Sequence, residues 1–134
     1  MLLLGDAAFH TKATTGGGLM LGLEASNKIS PVFQNFFNNY SPTINKTKFD
    51  FREFDKALNP INNELKLHWK LRSYYNNLSD EKIDKLFIKA KKANVEKFLE
   101  ENGDMDKPSN FIGKLARNPK YWFLGKELFS FLRV

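Results

Sequence analysis

The 134-residue chain predicts a mainly α fold with one short strand and a glycine-rich turn at its start. Three observations carry that expectation. Apolar residues recur at helical spacing from Phe49 to the C-terminus, and Asn-Asn, Asn-Gly and Asn-Pro steps punctuate them where helices end or begin. Only the apolar run Met1-Leu2-Leu3-Leu4-Gly5 reads as a strand. A loop over 6–15 follows it, and then Gly16-Gly17-Gly18 opens an apolar helix over 16–29. Because one strand cannot form a sheet, the run at 1–5 is expected to need a partner strand from elsewhere.

Taken in order, Ser30-Pro31 reads as a break or helix restart, and residues 32–40 as a short aromatic helix through Val32, Phe33, Phe36, Phe37 and Tyr40. Ser41 to Thr47 is a polar connector. Beyond it, Leu58, Ile61, Leu65 and Trp69 form one stripe, which Leu67, Leu71, Tyr74 and Tyr75 widen and which Pro60 kinks or divides. Asn76-Asn77 ends that helix, and Ser79 caps the next, with Asp80 and Glu81 in the first turn where the helix dipole favours acids. Ile83, Leu86, Phe87 and Ala90 then fall at i, i+3, i+4 and i+7. A short helix through Val95, Phe98 and Leu99 is closed by Asn102-Gly103. An ordered loop covers 104–109, and Phe111, Ile112, Leu115 and Ala116 resume the helical pattern. Asn118-Pro119 starts a last helix with Leu124, Leu128, Phe131 and Leu132 on one face.

Composition narrows the function. The chain has no cysteine, which excludes disulfides, thiolate metal sites and a Cys nucleophile. His10 and His68 have no carboxylates at ligand spacing, so no metal site is expected. Met1–Leu4 is too short and lacks the basic flank for a signal peptide, and no apolar run is long enough to span a bilayer. A cytoplasmic protein, peripheral at most to a membrane, is the expectation. The net charge of +6 permits an anionic partner. The Lys- and Asn-rich composition reads better as solvated charged faces than as a nucleic-acid surface.

Residues 2–23, LLLGDAAFHTKATTGGGLMLGL, resemble the last flavin-contacting segment of FAD-dependent oxidoreductases, and most closely that of archaeal geranylgeranyl reductases. That family reads close to GDAAG, a few residues, then PTTGGGI. ELKLHWKLRSYYNNLSDEKIDKLF (64–87) resembles its helical region, and ENGDMDKPS (101–109) its acidic loop. Phe9 stands where the family commonly has Gly, and Ala13 where Pro is usual. The family's strand–GxGxxG–helix unit for the ADP half of FAD has no counterpart here, nor does its middle sheet domain.

The resemblance implies a division into 1–30, the C-terminal segment of an FAD-binding domain, and 31–134, a helical C-terminal domain. It implies an FAD contact by Gly5, Asp6, Ala7, Thr15, Gly16, Gly17, Gly18 and Leu19. In this reading Asp6 hydrogen-bonds the ribityl or pyrophosphate region, and the N–H groups of Gly16–Gly18 approach the pyrimidine edge of the ring. The implied function is the C-terminal part or subunit of a reductase that hydrogenates geranylgeranyl chains of archaeal membrane lipids. Its partners would be a complementary N-terminal FAD-binding polypeptide and the prenylated lipid. The residues alone leave a second reading, a flavin-free helical binding or membrane-associated module, or a truncated remnant. His10 and Lys12 read as loop surface and His68 as a core or boundary histidine. Asp104 and Asp106 read as capping or ion-pairing residues. Tyr121, Trp122, Phe123 and Leu124, among Lys114, Arg117, Lys120, Lys126 and Arg133, offer an aromatic and basic face for peripheral membrane contact.

Overall fold

A computed structural model of the chain describes residues 2–40 and 49–122. The protein is mainly α: five helices and two short 3-10 turns, with no strand among the described residues. The helices are α1 (Leu19–Asn39), α2 (Phe51–Asn76), α3 (Asp80–Lys92), α4 (Val95–Asn102) and α5 (Pro108–Arg117). The 3-10 turns are Gly5–Ala8 and Pro119–Tyr121. The chain forms two compact units, Met1–Leu65 and Lys66–Val134.

The strand expected over 1–5 is not formed. Leu4 has an extended backbone, but residues 2–4 belong to no ladder and the chain turns at once into Gly5–Ala8. The helix expected over 16–29 starts later and runs further. Gly16–Gly18 stay outside it, and α1 passes through Ser30-Pro31 to Asn39, so the 30/31 boundary falls inside a helix. Proline in a helix interior costs about 3 kcal/mol. Its neighbours limit that cost. Pro31 and Asn27, whose carbonyl loses its donor, both lie at the surface. The buried row Leu21, Ala25 and Ile29 meanwhile continues into Phe33 across the proline.

In the first unit that row packs with Phe54, Leu58 and Ile61 of α2, and Leu4, Phe33, Phe49, Ala57 and Leu65 close around them. The second half of α1 then joins an aromatic cluster, which accounts for much of the chain's Phe content. Phe33 and Phe36 lie 5.4 and 5.5 Å from the ring of Phe49, and Phe49 stands 5.2 Å from Phe51 and 6.2 Å from Phe54. The Phe33–Phe49 pair is tilted, and the other three are edge-on contacts of the kind that ring quadrupoles favour.

α2 is continuous through Pro60, between the buried Leu58 and Ile61. Its buried row departs from the expected stripe at the end. Trp69 is 59% exposed and His68 only 2%, so the row continues 58, 61, 65, 68. Both registers are helical, and a large aromatic ring outweighs a histidine in any reading by hydrophobicity alone. The histidine is nonetheless the residue inside.

In the second unit α3, α4 and α5 begin and end close to their sequence signals. Ser79 is the N-cap of α3 in an extended conformation, and its carbonyl, not its hydroxyl, receives the N–H groups of Lys82 and Ile83. Phe87, expected on the buried face, is exposed. Asn94 in the left-handed region turns the chain into α4. Asp104 accepts the N–H groups of Asp106 and Lys107 at 2.8 and 2.9 Å and so fixes the turn before Pro108, the first residue of α5. Those donors hold its carboxyl below the usual range. Ala93, Val95, Leu115 and Tyr121 form the core, with the ring of Phe98 4.9 Å from that of Tyr121. The Asn118 side chain accepts from the Lys120 N–H as expected of a cap. The helix face expected at Leu124, Leu128, Phe131 and Leu132 lies outside the described residues.

The register of α2 gives a direct test. Leu58→Ala should cost about 2–5 kcal/mol in urea unfolding, as large-to-small core changes do. Trp69→Ala should stay near the surface norm of about 0.5 kcal/mol. A larger loss at Trp69 than at Leu58 would contradict this packing.

Candidate functional site

The segment from Gly5 to Leu19 is a closed loop at the start of α1. Two pairs of backbone bonds shape it. Phe9 and His10 donate to the carbonyls of Asp6 and Gly5, and Lys12 exchanges bonds with the glycine run, its N–H to the Gly17 carbonyl and its carbonyl to the Gly16 N–H. The loop therefore folds back until its two ends meet. The Asp6 carboxylate accepts from the Thr11 hydroxyl at 3.2 Å and lies against Gly18, the N-cap of α1.

This geometry explains the glycines one by one. Gly16 has φ +74°, a left-handed value that a side chain would strain. A Cβ on Gly18 would lie 2.6 Å from Asp6 Oδ1 and 3.0 Å from the His10 carbonyl oxygen. A Cβ on Gly17 would approach the Lys12 side chain at 3.1 Å and Thr15 Oγ1 at 3.7 Å, and no backbone. Gly16 and Gly18 are thus required by the closure of the loop itself, whatever else the loop binds.

Of the eight residues singled out from the sequence, the structure brings Asp6 and Gly18 into contact. Gly5 takes φ +64° and begins the 3-10 turn that carries Asp6 and Ala7. Thr15, Gly16 and Gly17 lie exposed on the loop, and the Gly17 N–H reaches Thr15 Oγ1 only at 3.5 Å. Leu19, the first residue of α1, is exposed, as are Leu2, Leu3, Met20 and Leu23 nearby in the chain. Phe9 also points outward, 87% exposed at φ +57°.

His10 and Lys12 are not loop surface. Both are buried, because the folded-back loop covers them. His10 is 4% exposed and its Nδ1 has no hydrogen-bond partner. Burial disfavours the imidazolium and lowers its pKa from 6.5. No local pattern marks this burial, since it exists only once the glycine run has closed back over the residues before it. No cluster of His, Cys, Asp and Glu able to hold a metal occurs among the described residues. No helix among them is long and apolar enough to cross a membrane.

Set against a flavin, the loop offers an exposed carboxylate at Asp6 and open space above Gly16. It also offers a helix N-terminus with no side-chain cap. The chain is similar to one curated archaeal protein. It is 27% identical over 118 residues to the uncharacterized protein MJ1520 of Methanocaldococcus jannaschii, a match covering 88% of this chain and 29% of that protein. The chain thus spans less than a third of the length of that relative. No family model matches the chain. No solved structure matches it either.

Two measurements test the loop. Gly16→Ala should destabilise by about 1–2 kcal/mol through its left-handed backbone. Gly18→Ala should cost less in an Asp6→Ala background than alone, because Asp6 supplies the nearest clash; strict additivity in the double-mutant cycle would refute that contact. The pH dependence follows from His10. Its folded pKa lies below the unfolded value, so its contribution is fully present above pH 6.5 and is lost as pH falls through the folded pKa. The slope of stability against pH just below 6.5 should flatten in His10→Gln.

Proposed function

We propose that the chain is the C-terminal part, or subunit, of a flavin-dependent reductase acting on geranylgeranyl chains of archaeal membrane lipids. In this reading it works with a complementary N-terminal FAD-binding polypeptide. The observation that carries it is the meeting of Asp6 with Gly18 at the uncapped start of α1. That juxtaposition is what the Gly-Asp and Gly-Gly-Gly motifs require if both ends of the loop are to serve one ligand. Asp6 would accept hydrogen bonds from the ribityl hydroxyls, and the N–H groups at the start of α1 would meet negative charge. A bound reduced flavin supplies hydride for alkene reduction, while the protein excludes water and orients the chain. The exposed Leu2, Leu3, Leu19, Met20 and Leu23 support a complementary polypeptide, since apolar side chains crowded near one loop favour cover.

A specific observation favours a second reading, a flavin-free helical module. Asp6 is already engaged by Thr11, and the space that glycine leaves at position 18 is filled by the chain's own carboxylate and carbonyl.

Purified alone, the chain should lack the visible flavin spectrum; a stoichiometric yellow protein would show that it needs no second polypeptide. Co-expressed with a GxGxxG-bearing polypeptide from the same genome, it should co-purify with FAD. Asp6→Ala and Gly17→Val should then lower flavin content, the latter because a side chain at position 17 would lie beneath the ring. A stable, colourless complex would establish the flavin-free reading.

A further inference from the structure

The second unit contains a cavity of about 390 Å³ lined by Tyr74, Asn77, Leu78, Lys82, Lys85, Leu86 and Lys89. It lies where the end of α2 turns into α3, and no carboxylate lines it. Lys82, Lys85, Leu86 and Lys89 fall at i, i+3, i+4 and i+7, so one stripe of α3 presents three ammonium groups and one leucine to the same hollow.

This placement works against the helix. Lys82 stands in the first turn, where the helix dipole disfavours a cation. Lys82–Lys85 and Lys85–Lys89 are like-charge pairs at helical contact spacing, which is destabilising. The acids of α3, Asp80, Glu81 and Asp84, do not line the cavity. Lys89 has a local reason to be where it is, in the last turn with Lys91 and Lys92, and Lys85 follows Glu81 at the favourable i, i+4 spacing; Lys82 has none. An anion bound among the three would remove the repulsion, while the Asn77 amide nearby already donates to the Ser73 carbonyl at 2.9 Å. Leu78, Leu86 and the Tyr74 ring leave an apolar portion of the lining, and the volume is within the range of small-molecule sites, about 300–1,000 Å³.

We propose that this cavity binds a phosphate-bearing ligand with a small apolar group attached, the phosphate held by Lys82, Lys85 and Lys89 and the apolar part resting on Leu78, Leu86 and Tyr74. The site lies wholly in the second unit and is independent of the flavin reading. The phosphate could belong to a free phosphomonoester or to a lipid headgroup.

The test is calorimetric titration of the full chain with phenyl phosphate and with inorganic phosphate. A parallel flotation assay uses phosphatidylcholine vesicles with and without phosphatidic acid. Phenyl phosphate should bind more tightly than inorganic phosphate. Lys85→Gln/Lys89→Gln should weaken phenyl phosphate at least about tenfold, the loss expected of two charge-assisted contacts. Lys91→Gln/Lys92→Gln removes the same charge outside the cavity and should change binding less than about threefold, since it alters only the long-range field. Vesicle binding that needs phosphatidic acid, is lost in the Lys85/Lys89 variant and is displaced by phenyl phosphate assigns the lipid source. Phenyl phosphate binding without vesicle binding assigns the soluble one. Equal losses in both double variants, or no binding of phenyl phosphate, would overturn the site.

Discussion

Burial of one row on α1 against one row on α2 is the constraint on which the first unit rests. Leu21, Ala25 and Ile29 meet Phe54, Leu58 and Ile61, and each fully buried aliphatic side chain stabilises by about 1.5–3 kcal/mol. The row fixes the rotation of α1 about its axis, and that rotation decides which residues at its N-terminus face outward. Leu19, Met20 and Leu23 are exposed because Leu21 and Ala25 are inside. It also carries α1 through Pro31, since a broken helix would strand Phe33 and Phe36 away from the rings of Phe49 and Phe54.

The glycine loop stands on this foundation and shows two origins for one motif. Gly16 and Gly18 answer a local need, a left-handed backbone and a close approach by Asp6. Gly17 is less constrained, because its missing side chain would meet only side chains, those of Lys12 and Thr15, and no backbone. A ligand that must lie flat on the loop would need glycine at position 17 for its own sake. Position 17 therefore separates the demands of the fold from those of a cofactor.

Much of the helical architecture was legible in the sequence. The second unit was read best, since its helix ends are written in local chemistry: Asn76-Asn77, Ser79 before two acids, Asn102-Gly103, Asn118 before Pro119. The errors in the first unit share a cause. Whether Leu2–Leu4 become a strand, and whether Ser30-Pro31 interrupts α1, depend on tertiary packing that no short window contains. The exchange of Trp69 for His68 in the buried row is a one-residue rotation, invisible where both neighbours are large. At the loop, motif spacing assigned Asp6 and the glycines to two ends of one ligand, and their direct contact at Gly18 was not legible. Nor was the burial of His10, because a loop's interior exists only once the loop has closed.

The most extensive packing between elements of the second unit follows the chain: α3 against α4, α4 against α5, α5 against the turn at Pro119–Tyr121, while Phe98 of α4 reaches past α5 to the ring of Tyr121. The contacts between neighbours each close only a short loop and forfeit little chain entropy before they are rewarded. Local contacts of this kind form quickly. The same arrangement lets the unit open stepwise from an end, so that its helices would exchange their amide hydrogens in graded order.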